Sequence, residues 1–317
     1  PIAAGVLLCY TISMRSIIEY QGTTWIDIED PGKEDMDFLK GKFAFHPIVL
    51  EQLTRPSWAT KVETFPGYLF LVLFFPIYNK ERRETRPREL DLIVTKDTLI
   101  TSHVQSSLPL KKLLDQCNLY EETRKKHMEQ GAPLLMYFLL HELWEDCGVK
   151  IQRIGKKLET IEESIFQGRE KEMLREISFV KADVINFWKI ARPQKGVVTS
   201  LRDTASESFG KEIAPYFSHL RNHWARATSN LIAYKETVEA LEDTNNSLLS
   251  YKTNEIVRIL TVFSVILLPL TLISQLFGMS TTSLPFAGKT YDFWIVIGML
   301  LAAFLVTVGY FKSKKWL

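Results

Sequence analysis

The chain of 317 residues is poor in cysteine, nearly balanced in charge and, over one long stretch, without any charge at all. Its three cysteines, Cys9, Cys117 and Cys147, lie far apart with no C-x-x-C pair. An odd, scattered set argues against a disulfide framework and reads as buried thiols in a reducing compartment. Lys and Arg total 39 against 37 Asp and Glu, a formal net charge of +2. No clustered basic face is implied, so no nucleic-acid partner is expected. The N-terminal part holds no Gly-rich phosphate loop, no nucleophile elbow and no paired metal motif, so neither an enzyme nor a covalently bound cofactor is expected. The opening segment "PIAAGVLLCYTISM" has no basic start and is too short to span a bilayer; it reads as a first strand.

What the chain does have is two apolar runs near its end. Residues 259–288 are thirty consecutive positions without a charge, and 293–311 are nineteen more. A helix needs ~20 mostly apolar residues to cross the hydrocarbon core, so each run is long enough. Two core helices of a soluble protein fit poorly with two such runs at one end of a chain. Lys252 and Arg258 flank the first run, Lys312, Lys314 and Lys315 follow the second, and the connecting loop carries only Lys289. That asymmetry predicts a helical hairpin in the cell's inner membrane with both termini on the cytoplasmic side.

Upstream, "SIIEY", "TTWIDIE", "GYLFLVLFFPIY", "ELDLIVT" and "TLITSH" are β-rich runs bounded by Gly, Pro, Asn and Asp. Between the early strands, "GKEDMDFLKGKFAFHPIVLEQLT" has helical spacing interrupted around Pro47. From about residue 133 the pattern turns helical. Leu140, Trp144, Cys147, Ile151, Ile154, Leu158, Ile161 and Ile165 alternate four and three apart, the seam of one helix in a coiled pair. A second helix runs through "FVKADVINFWKIA" to an interruption at Pro193. A third seam comprises Phe217, Leu220, Trp224, Ala227, Leu231, Tyr234, Val238 and Leu241, with Asn245 next in frame. No Pro or Gly lies between Pro215 and Pro269, so one helix on the order of 80 Å long can enter the first span uninterrupted. It reads as an oligomeric stalk, with a simple dimerisation coil as the plainer alternative.

The first span is not uniformly apolar. Asn254, Val257, Thr261, Ser264, Leu268, Thr271 and Gln275 fall on one stripe of about 100°. Polar groups against lipid are costly, so this stripe faces other helices or water. It is either a packing face built on small hydroxyls or the wall of a pore, and a pore with two spans per chain needs several subunits.

At this point "TNEIVRILTVFSVILLPLTLISQLFGMS" and the terminal "YFKSKKWL" resemble the CorA superfamily of magnesium transporters. "WIDIEDPGKED", "FAFHPIVLEQL", "KVETFPGYLFLVL", "LDLIVTKDTLITSH", "RPQK" and "APYFSHLRNH" extend the resemblance over essentially the whole chain. It implies an α/β cytoplasmic domain, a long helical stalk and two transmembrane helices in a funnel-shaped homopentamer. On that reading the divisions are 1–132 for the α/β domain, 133–255 for the helical hairpin and stalk, and 256–277 for the pore-lining span. An external loop follows at 278–292, a second span at 293–311 and a basic tail at 312–317. In the family the first span ends in Gly-Met-Asn, a ring of oxygens that holds a hydrated cation at the pore mouth. Gly278 and Met279 match, but Ser280 replaces the Asn, and its hydroxyl presents one oxygen at a different radius. Val257, Leu260 and Leu268 match the hydrophobic constriction, and Arg258 matches a basic position.

Other departures accompany Ser280. Gln275 stands where the family usually has Gly, and the loop keeps Pro285 without the acidic residue that usually follows it. The resemblance also implies a closing Mg²⁺ site between subunits, built on aspartates. Its positions fall here on His219 and, by a looser correspondence, Asn79. His223 lies four residues from His219, so the two are either a chelating pair or surface histidines. His46 reads as structural, and His103, His127 and His141 join no evident constellation. The function implied is passive or weakly coupled passage of a divalent cation, magnesium first, with zinc or cobalt as alternatives. A zinc-transporting or poorly selective channel, and a non-conducting membrane sensor or scaffold, remain as rivals.

Overall fold

A computed structural model describes residues 14–79, 81–279 and 291–316. The chain divides into two compact units, 1–242 and 243–317. The first helices after the sheet pack onto it and fall in the same unit as the sheet. Much of the proposed N-terminal first strand lies outside the described residues, and the first described strand starts at Met14.

The first unit is built on a six-stranded sheet of order β1-β2-β6-β5-β4-β3. Its strands are β1 (Met14–Tyr20), β2 (Thr23–Glu29), β3 (Lys61–Phe65), β4 (Tyr68–Asn79), β5 (Glu84–Val94) and β6 (Thr98–His103). All pairings are antiparallel except the parallel β2–β6 contact. The β1–β2 hairpin turns on Gln21 (φ 47°) and Gly22 (φ 85°), the two consecutive positive angles that suit a two-residue turn to strand twist. The run Leu69–Leu73 in β4 is buried at every position, because helices cover both faces of the sheet.

One face is covered by α1 (Lys33–Lys42) and α2 (Pro47–Leu53). Met36, Leu39, Val49, Leu50 and Leu53 pack there on Ile26, Ile28, Phe70, Val72, Ile93 and Ile100. Pro47 starts α2 rather than merely interrupting a helix: its missing N–H and fixed φ suit the first helical position. His46 caps it, Nδ1 accepting from Ile48 N–H at 3.2 Å. The sequence reading did not anticipate β3, nor α3 (Leu108–Leu119) and α4 (Glu121–Met128).

The other face carries α5 (Ala132–Phe166) and α6 (Glu170–Ala191), with Phe75 of β4 edge-on to Trp144 of α5 at 5.7 Å. All eight residues of the α5 seam are buried. At Pro193 the helix breaks through a short 3₁₀ turn into α7 (Lys195–Phe209). Cys117 and Cys147 are free and buried, and burial pushes both thiols up, Cys117 to about 11, which leaves them unreactive.

The long helix α8 (Ala214–Gly278) runs 65 residues, continuing past Pro269. Its seam is buried within the chain itself: Phe217, Leu220, Leu231 and Val238 are all at most 1% exposed. Trp224 Nε1 donates to Ala191 O at 2.9 Å, and Lys181 of α6 pairs with Glu242. The seam therefore needs no second chain to bury it. In the second unit, α8 is followed by α9 (Asp292–Ser313). The most apolar windows of these two helices are 6% and 0% buried, unlike the core helices of a soluble protein.

Two tests follow from this packing. A Cβ at Gly155 of α5 would lie 2.8 Å from Tyr234 Cζ of α8. Gly155→Val is expected to destabilise the protein by about 1–3 kcal/mol. The loss should be less than half as large in a Tyr234→Ala background, and equal losses in thermal melts of both backgrounds would show that this contact is not the cause. Asp91 is buried, and desolvation, reinforced by Glu89, lifts its carboxyl to about 8 against the pull of Lys61. The folded state then holds a proton that the unfolded state loses at about pH 4, so stability falls as pH rises from about 4 to 8. Asp91→Asn removes that slope. Its melting temperature should exceed the parent's at pH 8, by about 2–4 °C per kcal/mol recovered, and the gap should shrink at pH 5.

Candidate functional site

Two groups of side chains have functional character. The first lies on the C-terminal part of α8, from Asn254 onward. Asn254, Val257, Leu260, Ser264, Leu268, Thr271 and Gln275 are exposed and Thr261 half-buried, all on one continuous helix. The hydroxyls are turned onto the helix's own carbonyls: Thr261 Oγ1 donates to Val257 O at 2.7 Å, Ser264 Oγ to Leu260 O and Thr271 Oγ1 to Leu268 O, both at 2.9 Å. A hydroxyl that has donated its proton inward presents only lone pairs outward. Water bound to a cation points its protons away from the ion, so such an oxygen row accepts from a hydrated cation. Between these oxygens, Val257, Leu260 and Leu268 present apolar surface that resists wetting. Gly278 ends α8 and Met279 follows exposed, while Ser280 lies outside the described residues.

The second group lies in the first unit, between α5 and α8. His219 and His223 stand one turn apart on α8, their Nε2 atoms 3.2 Å from each other. His141 of α5 completes the group, its ring centroid 4.9 Å from that of His223 and 5.4 Å from that of His219. One ligand nitrogen from each histidine lies within 4.8 Å of the others. His223 Nδ1 donates to Glu145 Oε1 at 2.8 Å, and His219 Nδ1 is bonded to the Tyr137 hydroxyl at 3.0 Å. His141 Nδ1 is buried with no hydrogen-bond partner among the described residues. Burial holds His223 below the usual histidine range; Glu145 opposes this, while His219, His141 and Arg226 reinforce it.

The structure thus corrects one sequence expectation, that for His141, and gives His103 and His127 partners outside any metal group. His141 does join a constellation, with His219 and His223. His103 is buried with Nε2 on Asp27 at 3.2 Å, and His127 Nδ1 bonds Thr123 O at 2.9 Å, so both have structural partners. Asn79, the position expected to pair with His219 across subunits, lies at the end of β4, where its Oδ1 accepts from Arg82 N–H at 3.0 Å. His141, Glu145 and Tyr137 were the residues missed. A signal existed in "HELWE": His141 and Glu145 are four apart on a helix, one face, like His219 and His223.

A sequence model of the CorA-like Mg²⁺ transporter protein family matches residues 20–313. The cobalt/magnesium transport protein CorA of Thermotoga maritima is 27% identical over 311 residues, covering 97% of this chain and 88% of its own length. The solved CorA magnesium transporter of Methanocaldococcus jannaschii superposes with a TM-score of 0.78 at 22% identity, covering 95% of this chain and 93% of its own. The ZntB cytoplasmic domain of Vibrio parahaemolyticus shares the fold over 73% of this chain and 90% of its own, at a TM-score of 0.60 and 13% identity. The α/β domain, the long helix and the two apolar helices agree with these matches, and the chain belongs to the CorA-like Mg²⁺ transporter family as a divalent-cation transport protein of that type.

Proposed function

We propose that five copies of this chain form a pore that carries Mg²⁺ across the cell's inner membrane, with residues 256–277 of α8 lining the axis and 293–311 outside them. The row of outward-facing oxygens on the uncharged stretch of α8 after Arg258 carries this reading. One chain offers one such face, so enclosing a hydrated ion takes several copies around an axis. Mg²⁺ gives up its water reluctantly, and hydroxyl and amide oxygens that accept from its hydration shell suit it better than direct ligands. The basic residues on the outer flanks of both spans set both termini in the cytoplasm.

Gly278, Met279 and Ser280 form the outer mouth. With Ser280 in place of an amide, the ring reaches the hydrated ion less far, and Lys289, the loop's one basic residue, does nothing to concentrate cations there. Discrimination between Mg²⁺ and other divalent ions is therefore weaker than an Asn ring gives.

Purified protein in proteoliposomes should show saturable Mg²⁺ uptake, with Zn²⁺, Co²⁺ and Na⁺ measured beside it, and native mass spectrometry should count five chains. An intact pentamer that passes no ion under any of these conditions sinks the transport reading in favour of a sensor. Ser280→Asn is expected to shift the Mg²⁺/Zn²⁺ flux ratio several-fold toward Mg²⁺; an unchanged ratio removes Ser280 from the account of selectivity.

A further inference from the structure

The histidine group has a donor set unlike that of the α8 oxygen row. With Nδ1–H of His223 donating to Glu145, its Nε2 carries only a lone pair. The same holds for His219 when its Nδ1–H donates to Tyr137. Two lone pairs facing each other at 3.2 Å repel unless a proton or a cation lies between them. A Zn–N bond of 2.0–2.1 Å sets neighbouring nitrogens of a tetrahedral site about 3.3–3.4 Å apart, close to the spacing already present. His141 supplies a third nitrogen, and its buried Nδ1 lacks any partner among the described residues, as a waiting ligand does. Bringing all three onto one ion requires closing a separation of 4.8 Å at most.

The outer groups have the matching arrangement. A metal-bound imidazole commonly donates its other N–H to a carboxylate or another oxygen, which fixes the ring and raises its basicity. Glu145 does this for His223, and Tyr137 is placed to do it for His219. Each helix thus contributes residues one turn apart, His141 and Glu145 from α5, His219 and His223 from α8, a layout that recurs where helical bundles bind metals.

We propose that His141, His219 and His223 form a metal site within a single chain for a borderline divalent ion such as Zn²⁺ or Co²⁺, with Glu145 as its positioning residue. The ion joins α5 to α8 upstream of the first span. Mg²⁺ is excluded by chemistry, since it prefers oxygen donors and retains its waters. Its ligands all come from two helices of one chain, so the site needs no second subunit, and it is independent of the transport reading.

The test is a Zn²⁺ titration of the purified full-length protein in detergent, with excess Mg²⁺ present. The parent is compared with a His141→Gln/His219→Gln/His223→Gln variant whose folding is checked by circular dichroism and elution volume. One histidine-dependent Zn²⁺ per chain is expected, together with tetrahedral Co²⁺ absorption and a rise in melting temperature on Zn²⁺ addition, in the parent only. Glu145→Gln should keep the site and weaken it by about 10–100-fold. If the triple variant does not fold, His141→Gln alone is expected to weaken Zn²⁺ binding. Equal stoichiometry and affinity in the parent and the folded variants, or displacement of Zn²⁺ by equimolar Mg²⁺, would falsify the proposal. Histidine-dependent binding without ion flux overturns the transport reading and leaves this site standing; flux without such binding does the reverse.

Discussion

Backbone N–H and C=O groups find no partner in hydrocarbon, so a chain that crosses it must satisfy them within its own helix. In α8 that requirement meets a second one, because the same helix buries its upstream seam in the first unit. Along a continuous helix the angular position of each side chain follows from that of any other. Within the first unit Trp224 is held by its bond to Ala191 O, and within the second Thr261 and Ser264 share one helix face. Pro269 is tolerated inside the helix, although it removes one backbone donor and frees the carbonyl of Val265.

The first unit is built to hold that upstream seam. A sheet covered on both faces provides a rigid base, and the break at Pro193 redirects the chain so that α7 can lead into α8. Gln194, fully buried in that break, bonds Ile190 O at 3.1 Å and also the Phe74 carbonyl of β4. The bend is therefore tied to the sheet through hydrogen bonds as well as through apolar packing.

Oxygen and nitrogen donors are separated along the chain. The span presents acceptor oxygens and apolar surface, suited to a hard ion that keeps its water. The α5–α8 junction presents imidazoles, suited to an ion that sheds water for nitrogen. An ion held by the imidazoles therefore needs different chemistry from a hydrated ion that donates to the hydroxyl oxygens.

Much of this was legible in the sequence. Thirty uncharged residues at 259–288 include a stretch long and apolar enough to cross a membrane, because hydrocarbon compatibility is a matter of length and polarity. The polar stripe was equally legible, since helical periodicity places Asn254 to Gln275 on one face without reference to any partner. The β-rich runs of β2, β4 and β6 could be read, whereas β3 is five residues of mixed polarity whose strand state depends on pairing with β4. The α8 seam looked like a surface for a second chain, yet the chain's own helices bury it, and periodicity does not say what lies opposite. His141 shows the limit most clearly. It lies 78 residues before His219, and only the packing of α5 on α8 brings the rings together. The sequence alone determined which segments are compatible with lipid and which side chains share a helix face, because those are local properties of the backbone. The tertiary structure decided which faces meet and which donors converge, because these depend on contacts between residues far apart in the chain.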